Sequence, residues 1–313
     1  MATSGSYDFA LDRDGLVGEA YRYVGATAIG ETPTDDELTD GGRVLNLMLK
    51  GWQTRGIALW LNQKVTLFPD YNTEIFSLGS TGGNACATSD AVKTEIKTAG
   101  EEDDSTIEVD SITGMASGDY IGIELDDGTL QWTTINGAPS GNTVTLTTAL
   151  TDDCAVDNHV YSYTTKIQRP LEIIEARRED ATGNEVPLLQ YSRNEYMDLA
   201  DKSNSGTITQ FYYDPQLDNG LFHVWPTSGD VQNIIRMTIK KPIMDFDASA
   251  DNGEFPPEWA DAVVLNLAVR ISIKMGMPVD SNLKELAETT FFLASTYDNE
   301  KTSTYFQPDY QGQ

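Results

Sequence analysis

Leu38–Trp60 reads LTDGGRVLNLMLKGWQTRGIALW, and within it Leu38, Val44, Leu45, Leu47, Met48, Leu49 and Trp52 recur at the three-and-four spacing of one broad helix face. Thr34 or Asp35 can cap the start of this helix, and Asp36 and Glu37 lie where its dipole favours negative charge. The helix is expected to run to about Arg55 and to end at Gly56. The Gly41–Gly42 pair weakens its first half and marks a place for close approach of another segment. Upstream, Leu11, Leu16, Val17, Ala20, Tyr21 and Val24 predict a first helix near Asp12 to Gly25, stopped by Gly25.

Beyond Gly56 the period changes from helical to alternating. Ile57–Pro69 reads as a strand, and Thr106–Val109, Tyr120–Leu125, Leu130–Ile135, Thr143–Thr147 and Val160–Tyr163 read as five short strands. The turn signals between them include Asp126-Asp127-Gly128 and Asn136-Gly137. Further strands are predicted at Ile167–Ala176, Thr207–Tyr213, Leu221–Trp225 and Ile234–Lys240, with a short helix over Asn194–Leu199 that Ser192 and Glu195 box. Pro256, Pro257 and Glu258 open a late helix carrying Trp259, Val263, Val264, Leu267, Ala268 and Ile271, and a last helix covers about Ser281 to Asp298.

The expected fold class is α+β: a discontinuous α-helical bundle made by the N- and C-terminal helices, with an inserted small antiparallel β-barrel or sandwich and a mixed β segment. The expected domains are residues 1–74 (helices and strand of the core), 75–165 (inserted β domain), 166–250 (mixed β segment), 251–298 (C-terminal helices) and 299–313 (a tail read as a docking arm).

Charge narrows the function. The chain has 21 Lys and Arg against 49 Asp and Glu, a net of -28. Such a surface repels nucleic acid, because phosphate binding needs clustered Lys and Arg. Residues 75–165 hold only Lys93 and Lys97 against 15 acidic residues. No apolar run reaches the roughly 18 residues of a membrane span, and the opening MATSGSYDFALDRDG has no basic and apolar regions of a secretion signal. Cys86 and Cys154 form no metal or redox pattern and are expected to be reduced.

Catalytic signals are sparse. His159 and His223 each lie among strand-like residues, and no GxSxG, HExxH, Walker or GxGxxG sequence occurs. Glu124, Asp126 and Asp127 fall at a hairpin tip, where acids are turn formers rather than a glycosidase pair. Glu101–Asp104 and Asp152-Asp153 supply oxygen ligands without the spacing of a calcium loop. No catalytic, cofactor or metal residues are assigned, and no enzyme activity is expected. The candidate interface residues are aromatic: Trp52 and Trp60 beside the helix-to-strand junction, and Tyr305, Phe306 and Tyr310 in the polar tail.

Leu16–Gly25 (LVGEAYRYVG) followed by Leu38–Trp60, with Leu45, Asn46, Met48, Leu49, Trp52, Gly56 and Trp60 as its core, resembles the opening of the head-to-tail adaptor (connector) proteins of tailed bacteriophages. Phe255–Met277 resembles the later helix of the same family at Trp259, Asn266, Leu267 and Ala268. Gly118–Gly122 and Thr129–Asn136 look like a β insertion of larger phage structural proteins. The resemblance implies a virion protein at the head–tail junction, made in the host cytoplasm. It implies a ring of neighbouring copies, commonly twelve, bound below the portal protein ring and joined to tail nozzle, tube or fibre proteins. DNA would pass through its channel without sequence-specific binding, no membrane would be involved, and the C-terminal segment, here about Asn299–Gln313, would dock on the portal. The alternatives are another virion protein, such as a tail-tube ring or fibre-attachment protein, and a carbohydrate-binding β module, for which only Trp132 with Glu124 comes close.

Overall fold

The computed structural model describes residues 5, 9–28, 30–55, 59–88 and 91–298. Its helices are α1 (Arg13–Val24), α2 (Asp35–Gln53), α3 (Arg193–Met197), α4 (Ala260–Lys274) and α5 (Ser281–Tyr297). The chain divides into two units, one of residues 1–60 and 243–313, the other Leu61–Pro242.

In the first unit, local chemistry sets the helix ends. Asp12 accepts from the Gly15 amide at 2.8 Å, and Gly25 closes α1 at φ 78°. Thr34 and Glu37 form a reciprocal capping box at the start of α2, with the Thr34 amide donating to Glu37 Oε2 at 2.8 Å. Leu16, Val17, Ala20 and Tyr21 of α1 share one core with Leu45, Met48, Leu49 and Trp52 of α2 and with Val263, Leu267 and Ile271 of α4. Each large apolar side chain buried there contributes about 1.5–3 kcal/mol. Gly41 lets α1 come close, since a Cβ at that position would collide with Val17.

Among its described residues, the second unit has α3 as its one α-helix and is otherwise built on strands. A five-stranded sheet runs in the order Glu185–Pro187, Glu172–Glu179, Ile234–Lys240, Asn62–Leu67, Cys86–Thr88. A four-stranded sheet runs Leu189–Gln190, Gln210–Asp214, Gly220–Trp225, Ile75–Leu78, and Ser205–Gly206 pairs with Thr227–Ser228. The two larger sheets share a core that includes Val65, Leu67, Ile235, Met237 and Ile239 from one and Phe76, Phe211, Phe222 and Val224 from the other. A six-stranded sheet, Leu130–Thr134, Tyr120–Glu124, His159–Tyr163, Val92–Thr98, Thr106–Val109, Thr143–Thr145, curls into a half-barrel whose end strands meet at the Ile135–Leu146 bridge.

The half-barrel is fixed to the other sheets by aromatic packing and hydrogen bonds. Phe68 stacks on Tyr161 at 4.6 Å between centroids, beside Tyr163, Val231 and Ile234. The Tyr161 hydroxyl donates to the Val231 carbonyl at 3.0 Å, and the Tyr163 hydroxyl to the Asn84 carbonyl at 2.6 Å. The Leu130 amide donates to Asp70 Oδ1 at 2.9 Å.

The expected fold class is therefore corrected. The molecule is mostly β, with short helices, and is not an α-helical bundle bearing an inserted β domain. The reason lies in long-range pairing. Asn62–Leu67 pairs with Ile234–Lys240, from Asn62 opposite Lys240 to Leu67 opposite Ile235, and Ile234–Lys240 pairs in turn with Glu172–Glu179. Segments read as the edge of a helical core thus build sheets of their own.

Candidate functional site

Three tryptophans meet in the first unit. The α2 face carries Trp52 inward against Trp259, and Trp60 packs on Trp259 in turn: Trp52–Trp259 centroids are 5.8 Å apart and Trp60–Trp259 5.1 Å. Phe291 of α5 joins at 4.8 Å from Trp52, and the Arg55 guanidinium lies 5.0 Å above the Phe291 ring. Trp60 Nε1 donates to the Glu254 carbonyl at 2.9 Å. Trp52 is buried and Trp60 half-buried, so both candidate interface residues are packed inside the unit. Tyr305, Phe306 and Tyr310 lie outside the described residues.

Beside the tryptophans is a cavity of about 20 Å³, lined by Leu49, Gln53, Ile243 and Phe255 among others. Gln53 Nε2 is buried there without a hydrogen-bond partner among the described residues. Burial, with Arg55 nearby, lowers the Arg270 guanidinium from its ordinary value. The two asparagines of the motifs are structural clamps. Asn46 donates to the Phe246 carbonyl at 3.1 Å and accepts from the Phe246 amide at 3.0 Å, as a paired strand would. Asn266 Nδ2 donates to Ala262 and Ala287 carbonyls, tying α4 to α5.

The histidines have structural surroundings. His159 Nδ1 lies 3.0 Å from Glu124 Oε2, which also accepts the His159 amide at 2.8 Å. Burial pushes the Glu124 carboxyl up, but hydrogen bonds from His159 and Gln232 outweigh it and hold it below its ordinary value. His223 stacks on Tyr212 at 5.3 Å and lies 5.1 Å from Tyr196, whose hydroxyl donates to Glu74 at 2.6 Å. Burial lowers the His223 pKa.

The hairpin-tip acids are engaged locally. Asp126 Oδ1 accepts from the Ala155 amide and Asn158 Nδ2, and Asp127 accepts from the Thr129 amide and hydroxyl. Trp132 packs over Gly122 and against Phe68 and Tyr163, while Glu124 is engaged with His159. Among the described residues, no group of three or more His, Cys, Asp or Glu could hold a metal ion. Cys86 and Cys154 are buried free thiols, and burial raises both. Among the same residues, no helix is long and apolar enough to cross a membrane.

What the geometry offers is surface. The outer face of the five-stranded sheet carries Lys64, Glu175, Arg177, Glu179, Glu185 and Arg236 around a groove of about 550 Å³. Arg236 Nε holds Glu179 at 2.7 Å, and Arg177 lies 3.7 and 3.9 Å from Glu175 and Glu185. In the first unit, α5 exposes Leu286, Phe292, Leu293 and Tyr297, and a groove of about 190 Å³ runs beside Phe9, Leu11, Tyr23 and Val264. Sequence reasoning missed the exposed α5 stripe, although Ala287 and Ala294 at one-heptad spacing signal that small residues face inward there. No protein-family model matches the chain, and no curated protein matches it.

Proposed function

We propose that this chain is a non-enzymatic structural subunit of a tailed-phage particle, a head-to-tail adaptor that joins copies of itself in a ring below the portal. One observation carries the reading. The residues that resemble the adaptor family at both ends of the sequence, Leu45, Met48, Leu49 and Trp52 with Trp259, Leu267 and Ala268, share one core. The acidic surface suits a conduit, since a wall without basic clusters offers DNA no phosphate contacts and lets it slide. The engagement of Glu124, Asp126, Asp127, His159 and His223 in structural roles fits a protein that assembles rather than catalyses.

The test is docking on the portal ring of the same phage. The chain should bind that ring, and removal of Asn299–Gln313 should weaken binding at least tenfold, about 1.4 kcal/mol. A chain that ignores the portal but attaches to tail fibres or glycans would overturn the proposal.

A further inference from the structure

We infer that Ser192–Asn204 is an acid-released cover, latched by Tyr196 over His223 on the outer face of the four-stranded sheet and let go when the imidazole takes a proton. The alternation of that sheet sets the place. Phe211, Tyr213, Phe222 and Val224 turn into the core, so Tyr212 and His223, directly opposite in the register, turn to the other side. The cover crosses them there. The Tyr191 amide ties its start to the Phe211 carbonyl at 2.7 Å, and at its end the Asn204 carbonyl accepts from the Thr227 amide at 3.0 Å. Between these ties, α3 keeps Arg193, Asn194, Glu195 and Met197 exposed and buries Tyr196 alone. The Tyr196 ring lies 5.7 Å from Tyr212 and 5.1 Å from His223, and its hydroxyl donates to Glu74 Oε1 at 2.6 Å. Burial, with the Glu74 carboxylate beside it, pushes this hydroxyl well above the ordinary tyrosine range, so it stays a donor. From the sheet, Trp225 Nε1 adds one bond to the Asp201 carbonyl at 2.8 Å.

The sensor lies under the latch. His223 is 9% exposed, and its Nδ1 is buried with no hydrogen-bond partner among the described residues. A neutral imidazole tolerates one bare nitrogen, whereas an imidazolium carries two N–H donors that both need acceptors. The charges facing the ring are Glu74, just before Ile75–Leu78, and Asp214, at the end of Gln210–Asp214, with Lys202 of the cover 5.6 Å above the Tyr196 ring. Arg193, Glu195, Asp198 and Asp201 of the cover are exposed to water. Glu74 and Asp214 favour the proton, but burial outweighs them and the closed cover disfavours the charged ring. Opening returns His223 to water and to its ordinary value of 6.5. Below that pH the open state takes the proton more readily than the closed one, and its population rises. The device lies wholly within Leu61–Pro242 and stands whether or not the chain docks on a portal.

Backbone hydrogen exchange of the full chain, corrected for its intrinsic pH dependence, reads the opening. From about pH 7.5 to about pH 5.5, exchange in Ser192–Asn204 should accelerate several-fold, up to about tenfold, the limit for one proton at one pH unit below 6.5. At each pH these amides should exchange faster than those of Ile234–Lys240, because the cover opens while that strand stays paired. His223→Gln should remove the acceleration. Tyr196→Phe keeps the ring and loses the bond to Glu74, so opening at neutral pH should rise while the acceleration remains. Since His223→Gln can fail to fold, proton NMR of the unaltered chain follows its two imidazoles, His159 and His223, and His223 should titrate below 6.5. Exchange flat with pH, acceleration that survives His223→Gln, rates equal to those of Ile234–Lys240, or a His223 titrating at 6.5 or above in the folded chain would each overturn the inference.

Discussion

Glu124 and His223 are ionisable side chains inside the β unit, and their shifts predict two separate acid-sensitive windows. Glu124 is held below its ordinary value of 4.5. Its contribution to stability is present above that value and disappears as pH falls through its lower folded value. Glu124→Gln should flatten this acid limb of unfolding free energy against pH. Glu124→Ala should cost about 1–3 kcal/mol at neutral pH, because it strands the His159 amide and ring. His223 is lowered by burial from 6.5, partly offset by Glu74 and Asp214, so the folded state disfavours its proton. The unfolded chain takes that proton first, and stability should begin to fall as pH drops below 6.5. In His223→Gln that upper slope should vanish while the Glu124 limb remains; denaturant titrations across pH read both. Neither role was legible in sequence, since a lone histidine among strand residues does not say which carboxylate or ring it will meet.

Among the helices, the informative positions are the small ones. Gly41 is a poor helix residue, and alanine there would gain up to about 1 kcal/mol in propensity. A Cβ would nevertheless collide with Val17, so Gly41→Ala should lower the Tm, the clash outweighing the propensity. Ala287→Leu should likewise cost about 1–3 kcal/mol by overpacking the α4–α5 contact, whereas Leu293→Ser on the exposed stripe should stay within about 0.5 kcal/mol. Thermal unfolding distinguishes the two; equal losses would contradict the burial of the Ala287 and Ala294 face of α5. These elements were largely readable, because capping residues and apolar spacing are local: Asp12 and Thr34 cap α1 and α2, and Ser192 with Glu195 boxes α3. Thr106–Val109 and Ile234–Lys240 are strands with the bounds read from their alternation. Val92–Thr98 went unread as a strand, although Thr94 and Ile96 alternate inward, because it carries Lys93, Glu95 and Lys97 between them.

At the scale of the whole molecule, the sequence misled about architecture. Helical stripes are conspicuous over a dozen residues, but the pairing of Asn62–Leu67 with Ile234–Lys240 spans most of the chain and leaves no local mark. The same limit applies to the candidate interface: Trp52 and Trp60 looked like anchors, and only tertiary packing puts them beside Trp259. Charge is the property that composition does report. With a net of -28, the chain should fail to retard duplex DNA even at low salt, where any phosphate-binding surface would be most evident, and retention there would contradict the conduit reading.

The most direct test of the adaptor claim is the mass, by native mass spectrometry, of the purified chain alone and after mixing with portal rings of the same phage. The account predicts a small species alone and, with the portal, a complex carrying a fixed whole number of copies per ring. A mixture in which the two masses stay separate would contradict it.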